Sequence, residues 1–332
     1  MKMFDTIINL SESISKIKFD EAFTNAIADQ LSGQVDMDAE GNLYLNRKDH
    51  TPILLIAPFI TYPFSVEKVY KDGAIGIELY DATSHFPLPG CDIYVHGQKV
   101  YAGVVGSVPP HMQKGYQSSS PYLLSELKCD VCESYEALQN TVYPGTRITY
   151  RSKPFRLLEG KIAGRNLDLT APAAALLQCA DALDKDLFTV CFCNNYYSAL
   201  QATKPEIVIV LDVIDIEQRK PDYRHGEGLG KLYVETGTTV NDGVRKLLKS
   251  AANAAGIPND WLARCDKVED PHPLTWNIQT ALGGTAVGTV YLPYEGGSSG
   301  IQVMAENAAE QLAKLLQQIK AVPGRDELCW SI

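Results

Sequence analysis

The chain has 332 residues, 45% of them hydrophobic and 21% charged, and a formal net charge of -10. That length allows two domains at roughly 100 to 200 residues each, with ample apolar material for a core. An acidic chain without a local Lys and Arg cluster is a poor partner for nucleic acid or an anionic membrane surface, because phosphate binding needs concentrated positive charge.

At the N-terminus, Met1 to Glu12 has too short an apolar run, and Asp5 comes too early, for a signal peptide. No later segment approaches the ~18 apolar residues of a spanning helix, so a cytoplasmic protein is expected. Residues 12 to 32 have helical spacing, with Ile14, Ile17, Phe19, Phe23, Ile27 and Leu31 forming one stripe up to Gly33. Val35 to Tyr44 predicts a hairpin turning on Gly41-Asn42, since both residues tolerate positive φ. A buried strand, Leu54 to Phe59, follows.

From Ser65 to Ser152 the pattern changes to short β runs punctuated by Gly and Pro, such as Ala74 to Leu79, Asp92 to His96 and Lys99 to Val105. This predicts a small β-barrel or sandwich. Beyond it, helix and strand alternate: a helix at Ala171 to Leu183, strands at Leu187 to Cys193 and Glu206 to Val213, a helix at Val240 to Ala255, a strand at Gly284 to Leu292 and a helix at Met304 to Ile319. Such alternation marks a layered α/β domain. The expected organisation is one α/β domain, residues 1–64 and 153–332, interrupted by a β-barrel-like insertion, residues 65–152.

Eight cysteines, at 91, 129, 132, 179, 191, 193, 265 and 329, are expected to be reduced thiols. Cys129-x-x-Cys132 has no second pair at zinc-ribbon or finger spacing, and His225-Gly226-Glu227-Gly228-Leu229-Gly230 lacks the Lys-Ser/Thr of a phosphate loop. Both read more simply as ordinary structure.

Several motifs together resemble the dinuclear metallo-aminopeptidases of the tetrahedral type, which include glutamyl and deblocking aminopeptidases and some proteins labelled endoglucanases. Asp38-x-x-Gly41-Asn42 is similar to the family hairpin, and Leu88-Pro89-Gly90 with Gly103-Val104-Val105-Gly106-Ser107-Val108-Pro109-Pro110-His111 to its inserted domain. Gly164-Arg165-Asn166-Leu167-Asp168-Leu169-Thr170 falls on the motif that carries the bridging carboxylate, and Asp212 on the Val-Asp that completes one metal's ligands. The resemblance implies two divalent metals, zinc or cobalt, and self-assembly into a homo-oligomer.

The remaining site positions depart from the family. Its ligand His falls on Pro58 and the Asp that orients it on Ile60. The Glu-Glu pair, general base then ligand, falls on Asn194 and Asn195, and the last ligand His on Ser298. Pro58 has no donor, a neutral hydroxyl or amide is a weak zinc ligand, and Asn194 cannot act as a general base because an amide takes up no proton near neutral pH. The expectation is therefore a family member that needs no metal cofactor and binds a peptide or amine ligand in a pocket of Asp168, Asn194, Asn195, Asp212, Ser298 and Thr61, or acts as a scaffold; a vestigial polar cavity filled with water is the equal alternative for that pocket. The other open reading is a hydrolase with a rebuilt site, one metal on Asp168 and Asp212 assisted by Cys193 or a distant His. Cys191 and Cys193, two apart on a strand, could supply a soft ligand or nucleophile or could simply be core.

Overall fold

A computed structural model describes residues 2–13, 19–33, 35–58, 64–79, 88–106, 127–219, 227–237, 240–263, 274–281, 283–297, 300–324 and 328. Helices α1 (Met3–Ser13) and α2 (Phe19–Ala28) precede strands β1 (Val35–Met37), β2 (Leu43–Leu45) and β3 (Ile53–Pro58). The helical spacing expected from residue 12 thus belongs to a second helix, and the first begins at Met3. Its Met3, Phe4, Ile7 and Leu10 repeat at helical intervals and are buried in the main core.

Strands β4 (Phe64–Val69), β5 (Ile75–Leu79), β6 (Asp92–His96), β7 (Val100–Gly106), β8 (Lys128–Asp130) and β9 (Arg147–Tyr150), with the one-turn helix α3 (Tyr135–Leu138), form a closed barrel in the order β4-β5-β8-β7-β6-β9. Its interior is apolar, with Phe64, Val66, Ile75, Ile93, Val95, Val105 and Ile148 pointing inward. Closure leaves the barrel no free edge, which lets so small an insertion hold its own core.

The chain then alternates as its hydrophobic pattern predicts: β10 (Phe155–Leu157), β11 (Lys161–Gly164), α4 (Leu167–Ala180), β12 (Phe188–Cys193), α5 (Tyr196–Thr203), β13 (Ile207–Asp215), α6 (Ile216–Arg219), β14 (Leu232–Thr236), α7 (Asp242–Ala254), β15 (Asn259–Ala263), α8 (Leu274–Ala281), β16 (Ala286–Tyr294), β17 (Gln302–Ala305) and α9 (Ala308–Leu316). The expected helix from Met304 is shortened, because Gln302 to Ala305 pair instead with Lys161 to Gly164 in a three-stranded sheet, β10-β11-β17.

The main sheet has eight strands in the order β1-β2-β12-β3-β13-β16-β14-β15, with β12, β3, β13 and β16 parallel. Strands buried on both faces read as continuous apolar runs, and β13, Ile207-Val208-Ile209-Val210-Leu211, is such a run. One face carries α1, α4, α7 and α9 over the largest core cluster, and the other carries α5 and α8 over a smaller one containing Tyr44, Ile56, Val208 and Val210. Helix α4 is apolar all round because it lies between the sheet and α1 and α9. Among the described residues, no helix is long and apolar enough to cross a membrane.

Candidate functional site

The parallel register brings the sequence-derived positions to one end of the sheet. Cys193 lies beside Pro58 and Val210 beside Ile56, so Pro58 and Asn194 fall at the carboxyl ends of β3 and β12, and Asp212, three residues before the end of β13, comes level with them. Ligands of open α/β sheets bind at such an edge. Ser298, Ser299, Thr61, Ile60, His111, His225 and Gly226 lie outside the described residues.

Asp168 reaches the same end from the first turn of α4. Asn166, in the left-handed region at φ 60°, gives that helix no side-chain cap. The cap comes from β17, where Gln302 Oε1 accepts from the backbone N–H of Leu167 at 2.7 Å and of Asp168 at 3.2 Å. Burial raises the Asp168 carboxyl above its ordinary value, against hydrogen bonds from Gln302 and from the backbone of Asp168 and Leu169.

Two residues that the sequence did not single out belong to this cluster. Tyr294, at the end of β16, has its hydroxyl held well above the usual range first by burial and then by the charges of Asp215, Asp168 and Asp212. Asp215 pairs in register with Tyr294, and its Oδ1 accepts from Glu217 N at 3.1 Å. Gly297 closes over it, and a Cβ there would overlap Asp215 Oδ2. The spacing Asp212-x-x-Asp215 at a strand end was the available signal in the sequence.

Arg165 joins this cluster to the barrel. Its guanidinium donates to Gly300 O at 2.8 Å and lies 4.7 Å from the centre of the Tyr150 ring, while its backbone N–H and C=O both bond Ser152 Oγ. Burial, with Cys91 and Asp168 nearby, pushes the Tyr150 hydroxyl up to about 12.

Asn194 and Asn195 are held by the hairpin. Asn42, fully buried, accepts from Asn194 N at 2.7 Å and Asn195 N at 2.8 Å through Oδ1, and donates through Nδ2 to Asn195 O at 3.0 Å and Asp38 Oδ2 at 2.8 Å. Asp38 also accepts from Glu40 N, Asn42 N, the Tyr44 hydroxyl and Ser198 Oγ. Gly41, at φ +80°, makes the turn that lets the hairpin fold back on itself. The two amide side chains are themselves engaged: Asn194 Nδ2 donates to Glu40 O at 2.8 Å, and Asn195 Oδ1 caps α5 by accepting from Ser198 N at 3.2 Å. Asn is a preferred N-cap residue, so Asn195 has a structural role in its own right.

Cys191 and Cys193 do not approach Asp168 in the manner their spacing suggests. They project into the core with Ala199, Leu200 and Ile278, on the face of α5 and α8, whereas α4 packs on the opposite face. Burial, then the neighbouring Cys193, drives the Cys191 thiol well above its ordinary value, which disfavours a thiolate. Cys129 is buried on β8, its thiol pushed up by burial to about 12, while Cys132 is exposed.

Among the described residues, the donors at these positions do not make up a two-metal centre. Such a centre needs a bridging carboxylate with separate ligands on each side. Here Asp168 and Asp212 are suitable oxygen donors, Pro58 carries none, and the Asn195 oxygen caps a helix. Among the described residues, no group of three or more His, Cys, Asp or Glu could hold a metal ion.

An eight-stranded sheet layered between helices, interrupted by a six-stranded barrel, with acidic side chains at the carboxyl ends of its parallel strands, defines a metallopeptidase-type α/β architecture. The profile of the M42 glutamyl aminopeptidase family matches residues 41–315, and the chain belongs to that family. Solved structures agree on the fold. An aminopeptidase from the archaeon Desulfurococcus kamchatkensis superposes with a TM-score of 0.80 at 16% identity, covering 95% of this chain and 93% of the other. A TET aminopeptidase from the marine sediment archaeon Thaumarchaeota archaeon SCGC AB-539-E09 gives 0.79 at 17% identity, covering 98% of both. The TET1 peptidase of Pyrococcus horikoshii, which can assemble into a tetrahedron or a large octahedral shell, gives 0.79 at 16% identity, covering 96% of this chain and 98% of the other. No curated protein matches the sequence.

Proposed function

We propose that this chain keeps the aminopeptidase scaffold without its two-metal chemistry, and that the acidic cluster of Asp168, Asp212 and Asp215 holds a cationic or amine-bearing ligand such as a peptide amino terminus. The observation that carries the reading is the use made of the replaced positions. Asn194 and Asn195 turn their amides to the hairpin and to α5, and Pro58 offers no donor, while Asp168 and Asp212 are carboxylates at positions that the resemblance gives to metal ligands. Carboxylates gathered at one edge favour a positive group over a neutral one. Self-assembly into a homo-oligomer is part of the proposal and is supported by the shells that the related peptidase forms. So is a cytoplasmic setting, supported by six free thiols among the described residues.

Aminoacyl-nitroanilide turnover by protein loaded with zinc or cobalt tests the chemistry, and none above the buffer rate is expected. Titration of a free-amine peptide against its N-acetylated form, followed by calorimetry, tests the ligand. Binding of the free amine that is lost in Asp212→Asn is expected, and equal binding of both peptides would reject it. A second reading, a hydrolase with one metal between Asp168 and Asp212, is favoured by the survival of both carboxylates. An anomalous-scattering peak between them, with turnover lost in Asp168→Ala, would support that reading instead.

A further inference from the structure

A cation and an anion stand close together beside the acidic cluster without pairing. Arg165 lies just ahead of α4 and Asp168 in its first turn, so their Cα atoms are at most about 11 Å apart. The Asp168 carboxylate is hydrogen-bonded by Gln302 and by the backbone of Asp168 and Leu169. The half-buried Arg165 guanidinium donates through Nη1 to Gly300 O at 2.8 Å, is hydrogen-bonded with the Cys91 thiol and lies over the Tyr150 ring. Among the described residues, neither group forms an ion pair with the other or with any other charged side chain. The Tyr150 hydroxyl, pushed up first by burial and then by Cys91, feels both charges, Arg165 lowering it and Asp168 raising it. The guanidinium is also held in place from below and behind. Ser152 Oγ bonds both the backbone N–H and the C=O of Arg165, and the Tyr150 ring is braced edge-on by Phe64 with centroids 5.0 Å apart.

We infer that the ligand of this site is a short zwitterion, a dipeptide with both termini free, whose carboxylate is taken by Arg165 while Asp168 and its neighbours hold the amino group. Partly buried charges are costly until a partner neutralises them, and one molecule carrying both signs answers both at once. A guanidinium fork suits a carboxylate, which accepts two parallel N–H bonds, and Gly300 O takes up only Nη1. A fork already fixed by its own backbone and by the Tyr150 ring loses little freedom on binding. A phosphate is the poorer fit, because its second charge would face Asp168, Asp212 and Asp215. Length follows from the spacing: an extended dipeptide spans about 7 Å, within the reach set by the positions of Arg165 and Asp168. A longer peptide carries its carboxylate beyond Arg165.

The inference rests on the amine-binding reading of Asp168, Asp212 and Asp215, and its test separates the two. Calorimetry at pH 7 on the full chain compares alanyl-alanine, its C-terminal amide and its N-acetyl form, with wild type, Arg165→Gln and Arg165→Lys. The readout is the ratio of free-acid to amide affinity within each protein, which a general loss of structure does not produce. Wild type is expected to bind the free acid about tenfold or more tighter than the amide, and the N-acetyl form weakly. In Arg165→Gln the ratio should fall to about one, and in Arg165→Lys, which keeps the charge and loses the fork, it should lie between. A wild-type ratio of one with weak N-acetyl binding overturns the carboxylate inference and leaves the amine reading standing. Equal binding of all three peptides, or binding of none, rejects both. A ratio that persists in Arg165→Gln overturns the role of Arg165. Should that variant bind neither peptide, Arg165→Lys decides, and a ratio equal to the wild type's overturns the role of the fork.

Discussion

Replacing Asn42 with Ala tests whether the hairpin fixes the turn at Asn194 and Asn195. The side chain makes four hydrogen bonds at 2.7 to 3.0 Å, to two backbone N–H groups, one backbone C=O and the Asp38 carboxylate, and it is fully buried. At about 1 kcal/mol net for each bond, with further cost for backbone groups left without partners, the loss comes to about 4 kcal/mol. That is a large share of the ~5 to 15 kcal/mol by which a domain is stable. Asn194→Ala supplies the contrast, because its side chain is exposed and makes one such bond, to Glu40 O. Its cost should stay within about 0.5 to 1 kcal/mol. Urea denaturation followed by far-UV circular dichroism and by tyrosine and tryptophan fluorescence compares the two midpoints. Equal midpoints for Asn42→Ala and Asn194→Ala would refute the reasoning, since the turn would then be held by something other than Asn42.

Two further predictions use the same network and the α4 cap. Burial pushes the Asp38 carboxyl up, but hydrogen bonds from Tyr44, Asn42 and Ser198 outweigh it and hold the group below its usual value. Its contribution is therefore present above the unfolded carboxylate pKa of about 3.9 and lost as pH falls through the lower folded value. Asp38→Asn should lower stability at pH 7 and flatten its fall below pH 4, as followed by melting temperature against pH. An unchanged acid limb would remove Asp38 from the account. Gln302→Ala removes the acceptor for Leu167 and Asp168 N–H and should cost about 1 to 2 kcal/mol by denaturant midpoint. A loss below ~0.3 kcal/mol would mean that α4 needs no cap from β17.

How far these features could be read in the chain depended on whether their causes were local. The alternating α/β elements and the turn at Gly41 follow from periodicity and backbone freedom, which neighbours in sequence decide. Strand β17 does not, because Gln302 to Ala305 run into a helical pattern and become a strand only by pairing with β11. Helix α1 is too short to persist alone and is fixed by packing on α4. At the site, the family resemblance implies that Asn194 and Asn195 stand where relatives have carboxylates. It does not show what the amides do, because Asn42, which holds their backbone, is 152 residues from Asn194. Tyr294 and Asp215 were missed for the same reason: their meeting depends on the β13 to β16 register. For Cys191 and Cys193 the local spacing left ligand and core both open, and the packing of α5 and α8 decides for core.

The claim that matters most is that this aminopeptidase scaffold no longer holds a metal pair. It is tested most directly by dialysing the full chain against excess zinc or cobalt, removing unbound ions and measuring bound metal per chain by plasma mass spectrometry. The account predicts far less than one ion per chain, because Pro58 has no donor and the Asn195 oxygen is bound to Ser198 N. Two tightly held ions per chain would contradict it.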